Sequence, residues 1–120
     1  MTGLEREIQE VELAIEEANA AVKKASQLRK LMENAEFRAI IEEDYLREEA
    51  IRLAHIFGSP SPTLKAAKDD IATDIQGIAS LKRYFHTVLQ MGTQANDALI
   101  AHQENLDELR QGDVDAEDLN

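Results

Sequence analysis

Three histidines are the first residues of this sequence to test for chemistry, because helical bundles bind metals through them. Di-iron sites in such bundles use Glu-x-x-His, which places both side chains on one helix face. An arginine stands three positions before His55 and His86, and a leucine stands three positions before His102. A cation beside a metal ion is unfavourable, so we expect no carboxylate-bridged metal site. His55 and His86 are interpreted as partly exposed helix residues.

A dense acidic group around Tyr45 is the second candidate for chemistry. Carboxylate pairs act in acid–base catalysis only where burial separates their pKa values, and too few apolar residues surround this group to bury it. The spacing also lacks the central glycine of a calcium-binding EF-hand loop. We therefore interpret the group as a solvated helix face. Its members are Glu42, Glu43, Asp44, Glu48 and Glu49.

The other chemical signatures are missing from the sequence. There is no cysteine, which excludes thiol catalysis, disulfides and cysteine-ligated metals. There is also no phosphate-binding loop, dinucleotide fingerprint or nucleophile elbow. We expect a protein that is not an enzyme and that takes no cofactor and no small-molecule ligand.

The net charge of −11 over 120 residues limits the classes of molecule that this protein can bind. An acidic surface repels phosphate backbones and anionic lipids, so direct nucleic-acid and membrane binding are not expected. No apolar run is long enough for a membrane span, and the acidic N-terminal segment is unlike a signal peptide. The prediction is a protein that stays in the cytoplasm or enters an assembly. Mimicry of nucleic acid toward a basic partner is the alternative meaning of the acidity.

The first helix is predicted over residues 3–32. Thr2 is a suitable N-cap, and Glu5 stands where its capping-box partner belongs. Apolar or small residues then follow heptad spacing, which is typical of a coiled coil, with Arg29 at the one skipped position. They are Leu4, Ile8, Val11, Ile15, Ala18, Val22, Ala25 and Met32.

The second helix is predicted over residues 35–57, with Asn34 as its N-cap. Its apolar stripe lapses at Glu42–Asp44, where we expect a bend or a brief interruption. Gly58 stands where a left-handed residue ends many helices. A break is predicted at residues 58–62 because two prolines bar a continuous helix. The stripe comprises Phe37, Ile40, Ile41, Tyr45, Ile51, Ala54 and Phe57.

The third helix is predicted over residues 63–110 and has the most regular heptad pattern. His102 is a polar member of this stripe, and such a residue can set helix register or make assembly pH-dependent. Either the helix breaks at Gly77 or Gly92 or the molecule is elongated. Residues 112–120 are short, acidic and poor in apolar side chains, which predicts a disordered tail. The stripe comprises Ile71, Ile78, Leu81, Phe85, Val88, Gly92, Ala95, Leu99, His102, Leu106 and Leu109.

These elements predict an all-α fold. It is an elongated helical hairpin or bundle with coiled-coil character, a long C-terminal helix and a short acidic tail, with residues 1–111 as a single domain. The candidate functional residues are those that form helix–helix interfaces. They are Leu4, Ile8, Val11, Ile15, Val22, Phe37, Ile41, Tyr45, Ile78, Leu81, Phe85, Val88, Leu99 and Leu106.

Residues 34–57 and 78–109 resemble small helical proteins that are common in tailed-bacteriophage genomes. The similarity rests on a sequence segment from Phe37 to Leu53 that precedes a turn, and on a helix from Tyr84 through Gly92 to Ala95. A glycine often precedes the tyrosine in that family, whereas this sequence has Asp44, which predicts a more continuous second helix. The resemblance implies a component of virion structure or assembly.

The function predicted from these observations is that of a phage virion structural or head-assembly accessory protein without enzymatic activity. It would self-associate through its heptad faces, forming a homo-oligomer, and dock on a larger phage structural protein. It would act in the host cytoplasm during infection or in the virion. The alternative is a phage-encoded inhibitor or adaptor that binds a host protein, with acidic mimicry as one means.

Overall fold

The computed structural model describes residues 2–60 and 67–118, and the regular structure within these ranges is entirely helical. The predicted all-α fold is therefore confirmed. The chain divides into two compact units. The terminal unit comprises Met1–Gln27 and Val88–Asn120, and the central unit comprises Leu28–Thr87.

Helix α1 runs from Gly3 to Met32 and begins with the predicted capping box. The Glu5 backbone N–H donates to Thr2 Oγ1 at 3.0 Å, and the Thr2 N–H donates to Glu5 Oε2 at 3.2 Å. Each side chain thus satisfies a backbone donor that the first helical turn leaves free. The helix ends at Met32, as predicted, two residues before the next cap.

The second helical stretch is continuous but has three parts. Helix α2 is Ala35–Phe37, a π-helical segment follows at Arg38–Glu49, and helix α3 is Ala50–Phe57. Asn34 caps the stretch as predicted, because its Oδ1 accepts from the Phe37 N–H at 2.9 Å. The expected interruption at Glu42–Asp44 lies within the π segment. Here the hydrogen bonds span one residue more than in an α-helix and widen the turn.

Gly58 does not have the predicted left-handed conformation. Its φ and ψ are −80° and −2°. The Gly58 N–H donates to the Ala54 carbonyl oxygen at 3.0 Å, and the Ser59 N–H donates to the Ile56 carbonyl oxygen at 3.1 Å. The last turn therefore tightens within the right-handed region, and the prediction of a left-handed cap is wrong. The chain leaves the helix after this residue, as predicted. The predicted start of the third helix at residue 63 lies outside the described residues.

Helix α4 runs from Lys68 to Asp118 without a break at Gly77 or Gly92. It also continues through Gly112, so the predicted disordered tail is wrong for residues 112–118. One glycine costs a helix only about 1 kcal/mol relative to alanine, and no proline follows to stop it. In addition, Gln111 Nε2 donates to Asp115 Oδ1 at 3.0 Å, which links successive turns.

In the central unit, the second helical stretch packs antiparallel against α4. The ring centroids of Phe37 and Phe85 lie 5.9 Å apart, and the Tyr45 hydroxyl lies beside Gly77. Tyr45 is eight residues after Phe37, whereas Gly77 is eight residues before Phe85, so the two helices run in opposite directions. A hydrophobic core extends from this region toward the C-terminal end of the second helical stretch and the N-terminal end of α4. Its buried members are Leu46, Leu53, Ile71 and Ile78.

In the terminal unit, α1 packs antiparallel against α4. A Cβ added to Gly92 would overlap the Cβ of Ala25, so the two backbones approach closely there. Thirteen residues nearer the N-terminus, Glu12 Oε1 accepts from Arg110 Nη2 at 3.1 Å. Small residues thus allow α1 and α4 to approach closely at Ala25 and Gly92. An exposed ion pair links the same two helices at Glu12 and Arg110.

Candidate interaction surface

The predicted heptad stripe of α4 coincides with the face that α4 turns away from solvent. Ile78, Val88 and Leu106 are buried. The remaining predicted interface residues of this helix, Leu81 and Leu99 among them, are half-buried. The 3.5-residue repeat therefore identified the packed face of this helix correctly.

The stripe of α1 is less deeply packed than that of α4. Its fully buried members are the small residues Ala18 and Ala25. The larger members remain half-buried, and they are Leu4, Ile8, Val11, Ile15, Val22 and Met32. At the C-terminal end of α1, Leu28 is buried beside the skipped position Arg29. A pair of helices covers only one side of such a stripe, which explains the intermediate exposure.

The π segment changes which residues face the core. Phe37 and Ile41 are half-buried as predicted, but the next buried residue is Leu46, not Tyr45. The step from Ile41 to Leu46 is five residues, which the wider π turn accommodates on one face. The predicted stripe is therefore wrong after Ile41. Leu46 is 7% exposed and Tyr45 is 38% exposed.

A shallow groove lies along the π segment. Its volume is about 350 Å³, and Ile40, Ile41, Asp44, Tyr45 and Glu49 line it. Ile40 is 61% exposed and is one of several large apolar side chains that the described surface leaves in water. The groove therefore combines an apolar floor with carboxylates at its rim.

The two carboxylates of the groove differ in their pairing. Arg52 donates to Glu49 from both Nε and Nη2, with the Nε–Oε2 distance at 3.0 Å. These hydrogen bonds lower the pKa of Glu49 below its ordinary value and raise that of Arg52. Asp44, by contrast, makes no hydrogen bond or ion pair with any described residue. Asp44 is thus the groove carboxylate available to a cation from outside.

The histidines lie apart from any metal-binding arrangement in the described parts of the chain. His55 and His86 are exposed, and His102 is half-buried on the α4 stripe. Within residues 2–60 and 67–118, no three His, Cys, Asp or Glu side chains converge as a metal site would require. Among the helices described, none has the length and apolar character needed to cross a membrane.

The two units differ greatly in charge when their residues are counted along the sequence. The terminal unit has 14 acidic and 4 basic residues, a net charge of −10. The central unit has 10 acidic and 9 basic residues, a net charge of −1. The acidity of the whole chain therefore belongs almost entirely to one unit.

In comparisons with known proteins, no family model, curated protein or solved structure matches this chain.

Proposed function

We propose that this protein is a virion structural or head-assembly accessory protein of a tailed bacteriophage that works without catalysis. It self-associates through its heptad faces and docks on a larger phage structural protein. It acts in the host cytoplasm during infection and, where it is retained, in the virion. The resemblance of residues 34–57 and 78–109 to small phage proteins supports the phage assignment.

The observation that carries the proposal is the incomplete burial of the apolar stripe of α1. Ile8, Val11 and Ile15 are half-buried, although they repeat at the spacing of a coiled-coil seam. Further helices packed on this face would remove the remaining apolar surface from water, which favours association. Self-association supplies such helices without any other protein.

The test is the mass of the purified full-length protein, measured by size-exclusion chromatography with light scattering. We expect a defined oligomer, and Ile15→Asp should give a folded species of smaller mass. Leu13→Asp is the matched control, because Leu13 lies off the stripe on the same helix and is 55% exposed. A wild-type monomer at all concentrations would refute self-association. Loss of helicity in Ile15→Asp would instead place Ile15 in the core of the monomer.

The charge of the terminal unit favours one second candidate function. A net charge of −10 on one helix pair suits an inhibitor or adaptor that binds a basic surface of a host protein, as nucleic acid does. The test is inhibition of host DNA-binding enzymes by the wild type and by a triple variant with Glu7, Glu10 and Glu16 changed to glutamine. Inhibition that disappears in the triple variant and in high salt would support this candidate.

A further inference from the structure

We propose that the groove on the π segment binds the exposed basic and aromatic side chains of α4 from a second copy of this chain. The inference rests on the proposed self-association and assigns to it a contact in the central unit. The groove presents Ile40, Ile41 and the Tyr45 ring as its apolar floor, with Asp44 at its edge. The complementary stretch is Lys82–Tyr84.

The groove has the chemistry to hold a long cationic side chain. The carboxylate of Asp44 makes no hydrogen bond or ion pair with any described residue, and it lies at the edge of the groove. An arginine stem can pack along apolar side chains while its guanidinium reaches a carboxylate. The same guanidinium can lie over the face of a tyrosine ring, here that of Tyr45. A neutral apolar side chain would leave Asp44 unpaired.

The complementary stretch has the matching chemistry on its own helix. Lys82 and Arg83 are exposed, and neither has a hydrogen bond or ion pair with any residue that the structure describes. Tyr84 is 54% exposed beside them. An aromatic residue next to an arginine is a composition enriched where proteins bind each other. A site that combines apolar side chains with a carboxylate would bind these side chains most favourably.

Net charge favours the central unit as the place for this contact. The central unit is nearly neutral, at −1, so two copies of it approach without strong repulsion. Acids are concentrated on the π segment, whereas Lys82 and Arg83 provide positive charge on α4. Contact between two terminal units, at −10 each, depends instead on burial of the α1 stripe, and this burial must offset the repulsion between their charges. Salt should therefore weaken the groove contact and strengthen any contact between terminal units, because it screens attraction in one and repulsion in the other.

The experiment is sedimentation velocity of the full-length protein over a concentration series, with a matched pair of variants. Ile40→Glu places a charge on the groove floor. Ile100→Glu places the same charge on an isoleucine of the terminal unit with nearly equal exposure, 64% against 61%. We expect Ile40→Glu to weaken self-association by about tenfold or more, and Ile100→Glu to leave the central contact unchanged. Circular dichroism checks that both variants keep their helical content.

A charge exchange tests the named partners directly. Asp44→Arg and Arg83→Asp should each weaken self-association, and the double variant should restore it, because the attraction is re-formed with the charges reversed. Self-association that persists unchanged in Ile40→Glu and in both single charge variants would overturn the groove contact but leave the proposed self-association intact. A wild-type monomer at every concentration would overturn both.

Discussion

Gly92 lies at a close approach of α4 to α1 in the terminal unit. The Cβ of Ala25 is fixed by its backbone, so a methyl group on Gly92 forces the two helices apart. We expect Gly92→Ala to lower the free energy of unfolding by about 1–3 kcal/mol, the range typical of overpacked sites. Urea unfolding followed by circular dichroism measures this change.

Gly112 provides the control, because it lies in the same helix with open space around the position of its missing Cβ. Gly112→Ala should raise stability by up to about 1 kcal/mol through helix propensity alone. Ala25→Gly should recover part of the loss when it is combined with Gly92→Ala. Equal stabilisation by both glycine substitutions would contradict the close approach of the helices.

Glu49 makes a small contribution to stability that depends on pH. Its pKa is lowered by hydrogen bonds from Arg52, so the ionised form is favoured in the folded state. The resulting stabilisation is present above the ordinary pKa of a glutamate. It is lost as the pH falls through that value toward the lower folded pKa. We expect Arg52→Gln to raise the pKa of Glu49 toward its ordinary value, as measured by NMR titration of the side-chain carboxyl. An unchanged titration curve would mean that the pair does not form in solution.

The π segment buries a different residue from the one that an α-helix of the same sequence would bury, and this difference can be tested by mutation. Because Leu46 belongs to the buried core, Leu46→Ala should cost about 2–5 kcal/mol of unfolding free energy. Ile40→Ala, on the solvent side, should change stability by less than about 0.5 kcal/mol. The measurement is again urea unfolding. If Tyr45→Ala proves more costly than Leu46→Ala, the α-helical register is right and the π register is wrong.

The elements that were predicted well are those whose signals are local. Thr2 with Glu5, and Asn34 with the N–H of Phe37, lie within three residues of each other, so sequence alone shows both helix starts. The heptad stripe of α4 is likewise a property of its own sequence, and the burial of Ile78, Val88 and Leu106 follows it.

The features that were missed depend on packing. A π turn has no strong sequence signal, and its benefit, the burial of Leu46 against α4, exists only when both helices are in place. The close approach of Ala25 to Gly92 likewise exists only because α1 pairs with α4. The continuation of α4 to Asp118 is a similar case, because an established helix extends more easily than a new one forms.

For the molecule as a whole, the concentration of charge in the terminal unit predicts an unusual response to salt. Exposed ion pairs usually weaken as salt increases, but the terminal unit has 14 acidic residues and only 4 basic ones, so we expect repulsion to dominate. We expect the midpoint temperature of unfolding to rise between about 20 mM and about 300 mM sodium chloride. Differential scanning calorimetry measures the shift.

The triple variant with glutamine at Glu7, Glu10 and Glu16 is the control for the salt experiment. All three side chains are exposed, so the substitutions remove charge with little change in packing. The salt dependence of this variant should be smaller than that of the wild type. A midpoint that falls with salt in the wild type would show that attraction between charges, and not repulsion, dominates the folded chain.

The π segment also bears on how the length of this sequence can change during evolution. An inserted or deleted residue in an α-helix rotates every later side chain away from its partners, whereas a wide turn can gain or lose one residue by changing its winding. We therefore expect homologous chains to differ in length by one residue between Arg38 and Glu49 more often than within α1 or α4. In an alignment of such chains, that stretch would carry a gap inside an otherwise unbroken helix.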